Sequence, residues 1–415
     1  MNIQNTISSN IFFSNNKTIN FLSLLFFIFP ITIITGPFLP DLILTLIALI
    51  GLFLFFFKKI KPFFYFEIKI LWTFYFIIII SSLLSDEILY SLDYSLFYFR
   101  FIIFAHFFIF LILKYENMLK NFFFGIIVSL FLLNLYSILQ IINFFNLSIE
   151  YDGVRRLHLL FSDEEIVGSF LIRILPIYIF LIYLYKNFLK SNKFKLFNII
   201  LISLSIVTIL FSGERTAMLL LSICILFLSI VLIKRNLKVF FIIIFTLITG
   251  ISSLLIIDKK ISERVFQDYD RNISINPEVN PYLNFSLVSF NMFKDSPFFG
   301  QGPKMFRKLC NSPKFNEYPN NCNLHPHSIY AQLLGETGIF AFLFVFSSFI
   351  YFIYKNFLNI ISKNFDFSFS LASLAFIINF FLLIPSGNFF NNWINSLYYL
   401  SIILIIYHRV LNKNR

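Results

Sequence analysis

Long apolar segments dominate this chain and limit what it can fold into. Most of them reach the roughly 20 residues that an α-helix needs to cross the hydrocarbon core of a bilayer. With 58% hydrophobic and 13% charged residues over 415 positions, the composition excludes a soluble domain. We predict an all-α polytopic membrane protein of about 12 transmembrane helices. The predicted segments are 20–36, 39–57, 67–84, 94–113, 121–144, 165–185, 196–211, 215–233, 239–257, 331–354, 366–385 and 391–408.

Basic residues alternate between the two sides of the predicted bundle. Short stretches after every second segment, together with Lys17, hold 19 of the 33 basic residues, whereas the loops GPFLPD, SDEILYSLD and PSGNFFNNW hold none. Because cytoplasmic loops carry the excess of Lys and Arg, we expect both termini in the cytoplasm. The first segment lacks a cleavage site, so we expect it to be retained. The net charge of +12 then reflects topology and does not indicate nucleic-acid binding.

One outward stretch is much longer than the others. It covers residues 258–330, carries nine Lys or Arg and ends at the sequence LHPHSIYAQLLGETG. The positive-inside rule does not apply to long translocated loops, so these cations do not alter the predicted topology. The predicted organisation is helices 1 to 9 in 1–257, this loop in 258–330, and helices 10 to 12 with a cytoplasmic C-terminus in 331–415.

Three arginines lie within or at the ends of apolar segments, where an unpaired charge is costly. Arg100 is in SLFYFRFIIFA, Arg173 in GSFLIRILP and Arg215 in FSGERTAML. The predicted topology places all three in the outer leaflet, at the depth of a lipid-linked phosphate or pyrophosphate, whose oxygens an arginine fork binds in pairs. The alternative is that each snorkels to the interface or pairs with a nearby acid, such as Asp93, Glu165 or Glu214.

The sequence HPHSIYAQLLGETG places two histidines at the predicted mouth of the tenth helix. Ser328 can cap that helix, which leaves His327 at the outer face as a candidate general base for a hydroxyl. We expect His325 to face elsewhere. Gly335 and Gly338 would let another backbone approach the helix closely. The alternative is an interfacial histidine that hydrogen-bonds lipid headgroups.

Two of the three cysteines, Cys310 and Cys322, lie in the long outward loop. We expect a disulfide between them, because disulfides persist on that side of the membrane. The spacing that runs from these cysteines to His325 and His327 matches no common zinc pattern, and we expect no metal.

The stretch KDSPFFGQGPKMFRKLC followed by HPHSIYAQLLGETG resembles the bacterial O-antigen ligase and polymerase family, in which a long periplasmic loop ends in a histidine motif. His327, Ser328 and Gly338 match that motif, which is His, then Asn, Ser or Gln, then nine residues and Gly. The stretches FSGERTAM, FSDEEIVGSFLIRILP and SPFFGQGP, with Gly300 and Gly302, are similar too. The resemblance covers residues from about 85 to the end. The family often has a further Arg and a Trp before SPFFGQGP, and NPYLNFSLVSFNMFKDSP has neither.

The resemblance implies a C-type glycosyltransferase architecture in the bacterial inner membrane, with one large periplasmic loop between helices 9 and 10 and no metal or cofactor. The implied donor is a glycan on undecaprenyl pyrophosphate, and the acceptor is a sugar hydroxyl of lipid A core for a ligase or another lipid-linked glycan for a polymerase. We favour the ligase. His327 would activate the acceptor and Arg215 would hold the leaving pyrophosphate. Further arginines would help to bind the donor: Arg100, Arg173 and one of Arg307, Arg264 and Arg271.

A secondary transporter is the rival hypothesis, because twelve helices is also a common transporter count. A transporter predicts charges at the membrane midplane, interrupted helices and two similar halves of the chain. None of these is clear in the sequence. An active site at the outer face explains both the outer-leaflet arginines and the single large loop.

Overall fold

The computed structural model describes residues 16–57, 66–146, 157, 166–185, 191–233, 241, 245, 252, 274–318, 322–382 and 384–413. Every regular element within these ranges is a helix. In chain order they are α1 Asn16–Ile33, α2 Phe38–Phe57, α3 Phe66–Leu83, α4 Ile88–Ser95, a 3₁₀ turn Leu96–Tyr98, α5 Phe99–Lys114, α6 Glu116–Asn146, α7 Val167–Leu184, α8 Asn192–Phe211, α9 Arg215–Ile233, α10 Pro281–Asp295, α11 Phe306–Leu309, α12 Ile329–Ile361, α13 Phe367–Asn379 and α14 Asn392–Lys413.

The helices have the length and composition of membrane spans. Over the described ranges, nine are long and apolar enough to cross a bilayer, when α4, the 3₁₀ turn and α5 are taken as one span. The chain is a multi-pass membrane protein. Eleven of the twelve predicted segments coincide with helices, and the remaining one, 239–257, lies almost wholly outside the described residues.

Two helices differ in length from the segments predicted for them. The segment 331–354 belongs to α12, whose 33 residues form two parts that meet at Gly338, and the part 339–361 alone is about 35 Å long. This exceeds the roughly 30 Å of a hydrocarbon core, so part of α12 lies outside it. The segment 366–385 yields only the 13 residues of α13, which ends at Asn379, and the next carbonyl, that of Phe380, accepts the Tyr330 hydroxyl at 2.7 Å.

The second half of the predicted loop is a folded unit. Asn280 caps α10 by accepting hydrogen bonds from the next amides, and Pro281 occupies the first turn, where its missing N–H costs nothing. One face of α10 packs on α11 and the segment around it in a small core of its own, which contains Phe285, Val288, Met292, Met305, Phe306, Cys310 and Phe315. The chain between 258 and 273 lies outside the described residues.

Hydrogen bonds join the outward loops at one edge of the bundle. The Trp393 indole N–H donates to the Ile33 carbonyl at 2.8 Å. The Ser386 amide donates to the His327 carbonyl, also at 2.8 Å. The loops without basic residues therefore lie at the same edge of the bundle as the histidine motif.

Contacts at the opposite edge join stretches that the charge pattern predicts on the cytoplasmic side. Arg409 at the end of α14 forms an ion pair with Glu67 at the start of α3. His408 Nε2 lies 3.1 Å from an Asp366 carboxylate oxygen at the start of α13. The alternation of helix ends in the structure thus agrees with the alternation read from Lys and Arg.

Candidate active site

Helix α12 breaks at Gly338, and the loop between α10 and α11 fills the break. Gly338 has φ +71° and ψ −170°, a conformation that is essentially confined to glycine. The break leaves the carbonyls of Gly335 and Glu336 without helical donors. They accept instead from the amides of Gln301 at 3.1 Å and Gly302 at 2.7 Å, so the loop backbone completes the helix.

Glycine is required where these backbones meet. A Cβ on Gly300 would lie 2.4 Å from the carbonyl carbon of Glu336, and a Cβ on Gly335 would lie 2.8 Å from the carbonyl oxygen of Ser289 in α10. Both distances are shorter than a non-bonded contact allows. The motif glycines are therefore the points at which the folded loop joins α12.

Glu336 lies where α12 and the loop meet, and sequence analysis missed it. Its carboxylate is 1% exposed and accepts the amides of Lys304 at 2.9 Å and Phe306 at 3.0 Å, together with the Gln332 side-chain amide at 2.9 Å. These bonds hold the loop segment that carries the cations. An acid inside an apolar run is costly unless it is partnered, and that rule, applied to LLGETG, would have found it.

The two histidines of the motif lie against each other. The ring centroids of His325 and His327 are 4.2 Å apart, so the expectation that His325 faces elsewhere is wrong. Asn323 Nδ2 lies 3.0 Å from His327 Nε2, and the α10 rings of Tyr282 and Phe285 each lie 5.8 Å from the His327 ring. Ser328 caps α12, because its hydroxyl accepts the Ala331 amide at 3.3 Å.

Two loop cations accompany the histidines. Lys304 Nζ lies 4.0 Å and the Arg307 guanidinium carbon 5.9 Å from the centroid of the Tyr94 ring in α4. Burial, and next the Arg307 charge, lower the pKa of Lys304 to about 8. Burial, the His327 ring and both cations lower the pKa of His325 to about 4. Burial also lowers the pKa of His327, so both rings are uncharged at neutral pH.

Four buried polar atoms around this cluster have no hydrogen-bond partner in the part of the chain that the structure describes. They are Arg307 Nε, His325 Nε2, Ser386 Oγ and Asn388 Nδ2. Buried polar atoms are nearly always hydrogen-bonded. A group of such atoms beside two cations is what a binding site for a polar, anionic ligand presents.

A second group forms where the FSGER turn meets the start of α7. Glu214 accepts the amides of Gly168 and Ser169, which places a carboxylate at a helix N-terminus, where it is favourable. One turn further, Arg173 is 5% exposed and donates to the Ser169 carbonyl at 2.8 Å. Arg173 Nε and the Tyr398 hydroxyl beside it are buried and have no hydrogen-bond partner among the described residues.

The other two predicted arginines differ in setting. Arg215 is the first residue of α9 and is half-buried. Arg100 pairs with Asp41 at 2.8 Å and lies over the Phe101 ring. Arg100 therefore pairs with an acid, as the alternative hypothesis expected, but the acid is Asp41 and not one of the three that were named as examples. Arg264 and Arg271 lie outside the described residues.

Cys310 and Cys322 form a disulfide with Cα atoms 5.7 Å apart. It joins the end of α11 to the chain just before the histidines, so it ties the loop to the cluster. Within the described ranges, no three His, Cys, Asp or Glu side chains are grouped as a metal site requires.

The stretch that brings the loop, the histidines and α12 together has a known counterpart. Residues 200–346 match the O-Antigen ligase family. This match confirms the resemblance to O-antigen ligases and polymerases and supports an enzyme of the ligase or polymerase type. No curated protein matches the chain.

The O-antigen ligase match covers most of the predicted site. It includes Arg215, Arg307, both motif histidines and Glu336, and it ends within α12. Arg100 and Arg173 precede it. Sequence reasoning missed Lys304, although it lies in the quoted SPFFGQGPKMF stretch, because a single loop lysine carries no signal until its surroundings are known.

Proposed function

We propose that this protein is an O-antigen ligase, which transfers a glycan from undecaprenyl pyrophosphate to a sugar hydroxyl of lipid A core at the periplasmic face of the bacterial inner membrane. The observation that carries the proposal is the cluster of two uncharged histidines, two cations and four unpartnered polar atoms at one edge of the helix bundle. The family match, which covers the histidines and both cations but not Ser386 and Asn388, supports it.

His327 is the proposed general base. The acceptor hydroxyl oxygen attacks the anomeric carbon of the donor sugar, and its proton passes to the His327 imidazole. The bond from the anomeric carbon to the pyrophosphate oxygen breaks, and undecaprenyl pyrophosphate leaves with the electron pair. A histidine that is neutral near pH 7 can accept this proton, and the lowered pKa of His327 keeps it neutral.

Arginines are proposed to stabilise the leaving pyrophosphate. A planar guanidinium donates two parallel hydrogen bonds to phosphate oxygens, and fixed cations can supply the charge stabilisation that the leaving group needs. Arg215 has this role by its match to the family motif. Arg307 and Arg173 are the additional donor-binding candidates, because each has a buried Nε without a partner among the described residues. Arg100 is the weakest candidate, since its guanidinium is engaged with Asp41.

A cavity of about 940 Å³ between α3, α12, α13 and α14 supports a lipid-linked donor. Aromatic and aliphatic side chains line most of it, and it extends from Glu67 and Arg409, at the edge opposite the histidine motif, to Phe389. Apolar pockets with a few polar groups are typical of small-molecule sites. We propose that it receives part of the isoprenoid tail.

Reconstitution tests the proposal. The purified protein is placed in liposomes with undecaprenyl-pyrophosphate-linked glycan, with or without lipid A core. Transfer that requires the core supports the ligase. Chain lengthening without the core would assign the polymerase reaction instead, and a folded protein that turns over no donor in either mixture would overturn glycan transfer.

A further inference from the structure

Helix α10 of the folded loop carries apolar side chains on both its buried and its exposed face. Its buried face carries Phe285, Val288 and Met292. The opposite face exposes Leu287 and Phe290, which retain 39% and 43% of their surface. Leu287 and Phe290 form a small exposed apolar patch on the loop helix, next to the exposed Ser286 and Lys294.

The position of α10 along α12 indicates what covers it. The Ser289 backbone packs on Gly335, six residues after the start of α12 and so about 9 Å along that helix. Helix α10 is therefore beside the first turns of a membrane-spanning helix. Because the part of α12 after its break at Gly338 is already long enough to cross the hydrocarbon core, we place the turns before the break at the level of the lipid headgroups.

The chain just after α10 contacts the exposed apolar surface of α12. Just after α10, the Phe298 ring stacks on the Phe340 ring of α12 with centroids 6.0 Å apart. Phe340 and, one turn further, Leu343 are 44% and 47% exposed on the spanning part of α12. Exposed apolar side chains thus lie on the spanning part of α12, at Phe298 just after α10, and on α10 itself.

A lysine on the same face fits the interface. Lys294 Nζ lies 4.6 Å from the centroid of the Phe290 ring, so its stem lies along apolar surface while the charge can reach phosphates. Long cationic side chains snorkel in this way at membrane surfaces.

We propose that α10 is an interfacial membrane anchor whose Leu287 and Phe290 face is embedded in the outer leaflet and sets the depth of the histidine pair. The link is direct, because Tyr282 and Phe285 of α10 pack on the His327 ring. The membrane contact is independent of the proposed glycan transfer. The effect of this membrane contact on catalysis rests on the proposed function.

Spin labels on single cysteines test the anchor in nanodiscs that hold one copy of the full chain. The reporter variants are Leu287→Cys and Phe290→Cys in a Cys224→Ala background, with the native disulfide kept. Leu343→Cys is the lipid-facing control. Glu317→Cys is the water-facing control, because Glu317 is an exposed residue of the same loop.

We expect the labels at 287 and 290 to collide with oxygen more than with a water-soluble nickel complex, as at position 343 and opposite to position 317. Nickel accessibility equal to that of position 317 would overturn the proposal. Labels that become immobilised and shielded from both reagents only in discs with two copies would also overturn it, in favour of self-association. Neither result depends on glycan transfer, so the anchor can fail while the proposed function stands.

Discussion

Replacing Gly338 with alanine tests how the folded loop is held against α12. At φ +71° and ψ −170°, a residue with a side chain costs about 1–3 kcal/mol. The new Cβ would also lie 2.3 Å from the Phe298 carbonyl oxygen, and overpacking of this kind costs about 1–3 kcal/mol more. We therefore expect Gly338→Ala to lower the free energy of unfolding by about 2–6 kcal/mol.

Two other glycines provide matched controls. Gly36 has φ +100° and nothing within 4 Å of an added Cβ, so Gly36→Ala reports backbone strain alone. Gly387 lacks a positive φ, and its added Cβ would meet only Ile394 at 3.3 Å, so Gly387→Ala should change stability least. SDS titration of the purified variants in mixed micelles ranks them. If Gly338→Ala is as stable as Gly36→Ala, the close contact with Phe298 is absent and the loop is not held as described.

Three further predictions concern charge, the disulfide and pH. Arg215→Ala should insert into the membrane but lose glycan transfer, and Arg215→Lys should restore little, because a point charge does not replace a bidentate fork; equal rates for Lys and Arg would refute this. Breaking the bond between Cys310 and Cys322, which are 12 positions apart, should destabilise the loop by about 3 kcal/mol and speed its proteolysis, and an unchanged digestion rate would contradict that. The pKa of His325 is about 4 in the folded protein and ordinarily 6.5, so the stability that the neutral ring contributes should be intact above pH 6.5 and be lost as the pH falls towards 4. Measuring the unfolding midpoint as a function of pH tests this. A midpoint that stays constant between pH 6.5 and 4 would count against the burial of this ring.

Much of the membrane architecture could be predicted from sequence, because hydrophobic length and basic-residue bias are strong and local signals. The helix ends agree with the segments to within a few residues at α2 and α9. The pattern could not show that α13 stops early, because the apolar run continues past it. It could not show that residues 281–295 form a helix either, because α10 has only 15 residues and is too short to be recognised as a membrane span.

The site was predicted less completely than the helices. His327, Ser328 and Gly338 were found because their spacing is a motif, whereas Glu336 was passed over although it lies within the same sequence. The error over His325 has a simple cause. His327 has φ +54°, a left-handed conformation that residues with a side chain rarely adopt, so the extended chain expected before α12 does not continue through His327 and the two rings meet.

The rate of glycan transfer by His327→Ala tests the central claim most directly. Wild type, His327→Ala and the exposed-site control Lys314→Ala are compared in liposomes at saturating donor and acceptor at pH 7.5, with binding of labelled donor measured on the same samples. The account predicts that His327→Ala binds donor like wild type and transfers glycan slower by about 10²-fold or more, while Lys314→Ala is unaffected. Transfer by His327→Ala at the wild-type rate would contradict the assignment of His327 as the base.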